Sequence, residues 1–401
     1  MLAHESPPKR LWEPGVANRP DGAIAPAYIT GTAAFLPGDP VENDRMEDFI
    51  GRMSAGCSAF GRRALRWNGI QRRHYALDAD GRWLHSNASM CADAVRAALD
   101  VAGLELRDLE CLAAATTQGD LLVPGHASAV HGELGGGGLE LVSFQSVCAS
   151  SLMAAKYAWM AVRSGEAACA AAVAGEFSSR WFRPAFYEGT GLVDAKGRLA
   201  MAADFLRFTL SDGAGAVVIE RQPRTEGLSL EVDWIDLTSL AGQFDPCMWA
   251  GATQHGRTER AGAWSCAGPA AAHAGGAIAL QQDFTLLKSV IRAWIGVYLE
   301  KVDAGRIDPR RVDHLLCHYS AQSLREEIVG LLEATDAMIP QDRWFTTLQD
   351  SGNVGSASIW IMLDGLMRSG RLNAGEKVLC IVPESGRAMV GFMMLDVVEA
   401  A

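Results

Sequence analysis

Two residues able to do chemistry each begin a copy of one pattern. Cys148 opens CASSLMAAKYAWMAVRSG, with Arg163-Ser164-Gly165 beginning fifteen positions on, followed by an apolar run that ends at Glu176. Asn353 opens NVGSASIWIMLDGLMRSG, with Arg368-Ser369-Gly370 at the same spacing and an apolar run that ends at Glu384. Carried backwards, the repeat sets CLAAATTQGD against HLLCHYSAQS and places Ala115 opposite His318. Ala115 precedes Cys148 by 33 residues, and His318 precedes Asn353 by 35. A duplicated unit of strand, turn, helix and strand thus presents a cysteine from one half and a histidine and an asparagine from the other. All three fall at strand-to-helix turns.

Cys148 precedes a strongly helical run, so the positive end of a helix dipole is expected to lower its pKa and favour the thiolate. Ala149, Ser150 and Ser151 leave room beside the sulfur for an acyl group. Such a nucleophile suits thioester exchange, because its own acyl derivative stays activated. Joining two acyl groups also needs donors aimed at the oxygen on which charge develops, and a His and an Asn side chain can serve. Taken singly, His318 reads equally as a strand-end histidine and Asn353 as a turn or cap residue. The repeat is what groups them with Cys148.

The elements that must position these residues follow an α/β alternation from Ala27. The first half gives strands at AYITGTAAFLP, CLAAAT, LVSFQSV, Ala168 to Ala174 and Gly213 to Glu220, with helices from Ala88 to Gly103 and at ASAVHGEL. The second half gives strands at LSLEVDWIDL, HLLCHY, Trp344 to Thr346, VLCIV and GFMMLDVV, and helices at DFTLLKSVIRAWIGVYLEK and SLREEIVGLLEAT. The expected units are a poorly ordered Pro-rich arm, 1–26, then halves at 27–222 and 223–401. Residues 241–277, rich in Gly, Ala and His, have no clear period and are expected to shape a substrate channel or a dimer surface.

With 401 residues, 49% of them hydrophobic, the chain can bury a large core, and its net charge of −11 argues against nucleic acid as a partner. No apolar stretch approaches the roughly 20 residues that span a bilayer, and the N-terminus has no signal-like apolar core, so a cytoplasmic location is expected. The nine cysteines have no CxxC pair and read as reduced thiols. His126, His131, His255 and His273 show no metal-ligand spacing, and neither a metal nor another cofactor is expected.

The order Cys148, His318, Asn353, with the cysteine in SVCASS and the asparagine in GNVGSAS, resembles the thiolase superfamily, and within it the β-ketoacyl-acyl-carrier-protein synthase III type. ITGTAAFLP, NGIQRRHYA, ATTQGD and SDGAGAVVIE extend the resemblance over nearly all of the chain from about Tyr28. It implies a five-layered αβαβα fold of two duplicated halves, a homodimer or pseudo-symmetric heterodimer, and acyl carrier protein or coenzyme A thioesters as substrates. By the same resemblance Cys148 takes the acyl group, and His318 and Asn353 polarise a malonyl or β-ketoacyl thioester for a Claisen-type condensation. The backbone N–H of Cys148 and one from the Gly386-Arg387 turn form the oxyanion hole. Two departures stand out: His318 is followed by Tyr319-Ser320-Ala321-Gln322 instead of a Gln-Ala-Asn run, and Arg387 stands where a small residue is common. HYALDADGRWLHSNASM, DLLVPGHASAVHGEL and AGEFSSRWFR look similar to secondary-metabolite members that make cyclohexanedione and dialkylresorcinol precursors.

Arg62, Arg63, Arg66, Arg72 and Arg73 form a basic run in an acidic chain, and with Arg325 they supply contacts for a carrier protein or pantetheine phosphate, Arg72, Arg73 and Arg325 first among them, or else a solvated face. Glu176 and Glu384 read as strand ends near the site or toward solvent, and Glu188 as a base within reach of substrate. Two other functions stay open: acyl transfer to an alcohol or amine with His318 as base, and a non-catalytic subunit of a heterodimer.

Overall fold

The computed structural model describes residues 25–53, 59–252 and 264–400. Residues 1–24 of the arm, Cys57, His255, the stretch 253–263 and the side chain of Arg62 lie outside them. The elements that build the site are, in chain order, β1 (Tyr28–Phe35), α1 (Asn87–Ala102), β2 (Cys111–Thr116), α2 (His126–Leu134), β3 (Glu140–Gln145), α3 (Ser150–Ser164), β4 (Cys169–Glu176), β5 (Gly213–Glu220), β6 (Leu228–Ser239), α4 (Phe284–Asp303), β7 (His314–Cys317), α5 (Gln322–Glu333), α6 (Ser358–Arg368), β8 (Lys377–Glu384) and β9 (Met389–Glu399).

Local chemistry sets the helix ends. The Ser86 hydroxyl accepts from the Ser89 N–H at 2.9 Å and starts α1, while Gly103, at φ 75°, stops it. Asp283 accepts from the N–H groups of Thr285 and Leu286 and starts α4. The nine strands hydrogen-bond in the order β7-β8-β9-β6-β1-β5-β4-β2-β3. β1 and β6 join the halves through only two residue pairs, Tyr28 with Glu231 and Ile29 with Leu230. The duplication is visible in the register: Ala114 pairs with Val173 in parallel, as Cys317 does with Ile381.

Side chains alternate across each strand, and three apolar cores follow from that period of two. Leu112, Ala114, Val173 and Val218 face α1 and α2 on one outside. Leu315, Cys317, Ile381 and Phe392 face α4 and α5 on the other. Between them, Ala113, Ala172, Val217, Cys380 and Met393 enclose α3 and α6. Helix α3 packs on β2 to β5 and also on β6 and β9, whereas α6 packs on β1, β5 and β7, so each central helix touches both halves. The result is the five-layered arrangement. Trp360 of α6 is fully buried, and a Cβ on Gly215 of β5 would stand 2.6 Å from that tryptophan's own Cβ, so close packing of the central layer requires glycine there.

The strand expected near Trp344 to Thr346 is only a parallel bridge between Leu315 and Trp344, with the Phe345 N–H donating to the Leu315 carbonyl at 3.0 Å. Thr346 accepts from the Leu348 N–H and turns the chain into the short helix Leu348–Ser351 before a ladder can extend.

Candidate active site

Cys148 lies between β3 and α3. The turn is closed by the Ser150 hydroxyl donating to the Val147 carbonyl at 2.7 Å and the Ser151 hydroxyl donating to the Cys148 carbonyl at 3.0 Å. Ala149, Ser150 and Ser151 are fully buried, and none of them is among the residues lining the cavities that Cys148 borders. Glu384 reaches across from the end of β8 to the start of α3. It is 2% exposed and accepts from the Ser146 hydroxyl at 2.6 Å and from the Ala149 N–H at 3.1 Å.

That arrangement reverses the electrostatic expectation for the nucleophile. Burial pushes the Cys148 thiol well above the ordinary cysteine range, and the carboxylates of Glu384 and Glu176 push it further, while its own backbone N–H pulls the other way. The positive end of α3 is already occupied by Glu384, so the thiol, not the thiolate, is the resting form.

His318 follows β7, with its backbone N–H donating to the Ile381 carbonyl at 2.8 Å. Its ring is 95% buried and has no hydrogen-bond partner among the described residues. Burial alone holds its pKa down at about 4, so the imidazole is neutral near pH 7 and offers one N–H donor and one acceptor. Asn353 sits in a turn held against the residues before β5: its N–H donates to the Thr209 carbonyl, and its carbonyl accepts from the Ser211 N–H at 2.9 Å. Its Oδ1 accepts from the Gly355 N–H at 3.0 Å, which leaves the Nδ2 amino group with no acceptor among the described residues. Gly355 has φ +50°, and a Cβ there would meet the Glu176 Cγ at 3.0 Å.

Glu176 mirrors Glu384. From the end of β4 it reaches the turn before α6, and its Oε1 accepts from the N–H and hydroxyl of Thr117 at 3.1 and 2.8 Å and from those of Ser356 at 3.2 and 2.6 Å. Its Oε2 has a single long contact, 3.4 Å, to the Thr117 N–H. Burial raises its pKa against these donors.

Cys148 lines two cavities. One, of about 540 Å³, runs into the first half between Phe177, Trp181, Phe182 and Leu210, with Glu176 and Gly355 in its wall. The other, of about 400 Å³, contains His318, Tyr319, Leu287, Ile291, Trp294 and Ile328. Gln282, Ser320 and Ser385 border both. The structure therefore brings Cys148 and His318 to one cavity, whereas Asn353 lines neither cavity and only Gly355, two residues on, borders the other one. Part of the 241–277 segment belongs to this wall: Met248 lines the first cavity and pairs with Gln282.

The other candidates fare differently. Arg73 is fully buried, with Nη2 donating to Asn43 Oδ1 at 2.6 Å and Nη1 to Met46 Sδ at 2.9 Å, so it cannot meet a carrier protein, contrary to its place in the basic run. Arg72 is half-exposed and bridges to Asp350 at 2.6 Å. Arg325 lies over the Trp344 ring and donates to Gln341 Oε1 at 3.0 Å. Gly386 lines a more open cleft of about 920 Å³ beside Val147 and Glu384, and its carbonyl accepts from the Cys247 N–H at 2.8 Å, whereas its neighbour Ser385 borders both Cys148 cavities. The sequence reading underrated the two glutamates. Their signal was present as matched carboxylates ending two otherwise apolar strands.

Residues 113–224 match the model of the β-ketoacyl synthase N-terminal domain, and residues 302–394 that of the 3-oxoacyl-[acyl-carrier-protein] synthase III C terminus. The chain is 24% identical over 358 residues to the β-ketoacyl-[acyl-carrier-protein] synthase III of Neisseria meningitidis serogroup C, covering 88% of this chain and 94% of that one. Among solved structures it is similar to the tetronic acid condensing enzyme AbyA1, with TM-score 0.71, 20% identity, and 92% and 99% of the two chains covered. It is similar also to the 3-oxoacyl-(acyl carrier protein) synthase III of Pseudomonas aeruginosa PAO1, with TM-score 0.68, 20% identity, and 92% and 98% covered. The fold is that of the thiolases, and the chain belongs to the synthase III-like condensing enzymes of that superfamily. Among the described residues no helix is long and apolar enough to cross a membrane.

Proposed function

We propose that this chain is an acyltransferase of the ketosynthase III type, working on coenzyme A or carrier-protein thioesters with no resident cofactor. The observation that carries this reading is the shared cavity of Cys148 and His318, together with an Asn353 amino group left without a protein acceptor. Cys148 attacks an acyl thioester: the new S–C bond forms as the donor thiol leaves with the proton that Cys148 gives up. Neutral His318 and the Asn353 amino group donate to the carbonyl oxygen of the second thioester and stabilise its enolate. The enolate forms as the α-carbon loses either carbon dioxide or a proton, and it attacks the acyl-enzyme carbonyl; a carbon–carbon bond forms, the C–S bond to Cys148 breaks and the freed sulfur takes up a proton from solvent. The N–H groups of Cys148 and Gly386 hold the oxyanion.

The exposed Arg63 and Arg66 and the half-exposed Arg72 serve an acidic carrier protein, which a chain of net charge −11 would otherwise repel. Likeness to a tetronic acid condensing enzyme supports a place in secondary-metabolite assembly. A homodimer is supported by β3 standing at the edge of the sheet and by the exposed apolar run Leu121, Leu122 and Val123, at 62, 84 and 81% exposure.

Intact-protein mass spectrometry with a panel of acyl-coenzyme A and acyl-carrier thioesters, with and without malonyl or β-ketoacyl partners, tests the reading. An adduct on the protein that disappears as a longer β-keto product is released is expected. Loading followed by an ester or amide product would select acyl transfer without condensation, and no loading would select a non-catalytic subunit.

A further inference from the structure

Asp212, immediately before β5, is fully buried, and Arg180, the guanidinium whose charge reaches it, is paired with Asp120 instead, at 2.5 Å. A buried carboxylate without its own cation is costly, and here donors from two other segments offset that cost. Oδ1 accepts from the Ser179 N–H at 2.9 Å, and Oδ2 accepts from the Ala76 N–H at 2.8 Å and from the Ser179 hydroxyl. The Asp212 N–H donates to the His74 carbonyl at 2.9 Å. One side chain thus ties the start of β5 to the turn at Ser178 and Ser179 and to the stretch 74–76.

Both ties bear on the active site. Ser178 and Leu210 line the cavity that runs from Cys148 into the first half. The residues just before Asp212 moor the Asn353 turn, since both backbone bonds of Asn353 go to them: its N–H donates to the Thr209 carbonyl, and its carbonyl accepts from the Ser211 N–H at 2.9 Å. The Ser211 hydroxyl in turn accepts from the His74 N–H at 2.8 Å. Gly352 packs so closely on this segment that a Cβ there would stand 2.9 Å from the Ser211 Cβ, and it shares a cavity of about 210 Å³ with His318.

Resting on the ketosynthase reading, we propose that Asp212 is a positioning residue for condensation: by fixing the segment 209–212 it sets where the Asn353 amino group stands relative to His318, and it touches no substrate itself. All three partners of its carboxylate are donors, so in Asp212→Asn an amino group replaces one accepting oxygen and a tether becomes a repulsion. Acylation of Cys148 does not use the Asn353 amino group and proceeds without this restraint.

The test uses the full chain in single turnovers, with octanoyl-coenzyme A as donor and malonyl- or acetoacetyl-coenzyme A as second thioester. Asp212→Asn should load Cys148 at the wild-type rate by intact mass but condense about 100-fold more slowly, the cost of a small misplacement of a reacting group. Combined with Asn353→Asp it should slow condensation no further than Asn353→Asp alone, because both changes disable one amino group. A second loss of equal size in the double variant would show that Asp212 acts independently of Asn353 and would overturn the inference, as would condensation at the wild-type rate or an equal loss of loading. Should Asp212→Asn not fold, Ser179→Ala removes one donor, keeps the charge and carries the same comparison at smaller amplitude. If wild type loads Cys148 but condenses neither partner, the ketosynthase reading itself fails and takes the inference with it.

Discussion

His318 gives a prediction whose size follows from its burial. In the fold its pKa is about 4, against an ordinary 6.5, because no group in the site stabilises the imidazolium. The unfolded chain therefore binds more protons below pH 6.5, so the stability due to a neutral His318 is present above that pH and is lost as pH falls toward 4. Between pH 7.5 and 5 the loss from this one residue is about 2 kcal/mol, by linkage from those two values. His318→Gln cannot titrate and is close in volume, so it should lack this component. Buried His126 is also held down at about 4 and His74 is lowered, so wild type alone would mix three effects; the difference between wild type and variant isolates one. Urea unfolding followed by intrinsic tryptophan fluorescence at the two pH values gives that difference. A variant that weakens on acidification as much as wild type does would refute the neutral, unpartnered histidine.

Three further outcomes are expected. Asn353→Asp keeps the acceptor for the Gly355 N–H but loses the amino donor, so single-turnover condensation should fall by about 10² to 10³ while acylation of Cys148 continues. Removing the charge of Glu384 by Glu384→Gln should let iodoacetamide react with Cys148 at lower pH than in wild type, because both burial and that carboxylate hold the thiol up; Gln can still accept from the Ala149 N–H, and the Ser146 hydroxyl can rotate to accept from the amide. Wild type is expected to scatter light as a dimer, and Leu122→Asp, at a position 84% exposed, as a monomer with little loss of stability.

Much of the fold was legible because the alternation of small apolar strands with helical runs is strict. Cys111–Thr116 and Gly213–Glu220 read directly as strands, since each is an unbroken buried run bounded by turn residues. The repeat located Cys148, His318 and Asn353 because a duplicated unit must place equivalent turns at equivalent points of the sheet. The second half's missing strand was not legible, since the Thr346 side-chain bond that diverts the chain leaves no trace in hydrophobic periodicity. Arg73 was misjudged for a related reason: neighbouring arginines look alike in sequence, and only packing shows that Arg72 is half-exposed and Arg73 seated on Asn43 and Met46. The sign of the Cys148 shift was missed because the helix dipole is a local property, whereas the carboxylate that offsets it arrives from β8, more than 200 residues away in the chain, as its bond to Ala149 shows.

The central claim is that acyl chemistry starts on Cys148. Peptide mapping by tandem mass spectrometry after brief incubation with octanoyl-coenzyme A tests it most directly, because eight described cysteines compete for the label and one of them, Cys266, is exposed. The account predicts an octanoyl adduct on the peptide containing Cys148, none in Cys148→Ala, and discharge of the wild-type adduct when the second thioester is added. An adduct on Cys266 or another cysteine that persists in Cys148→Ala, with Cys148 unmodified in wild type, would contradict it.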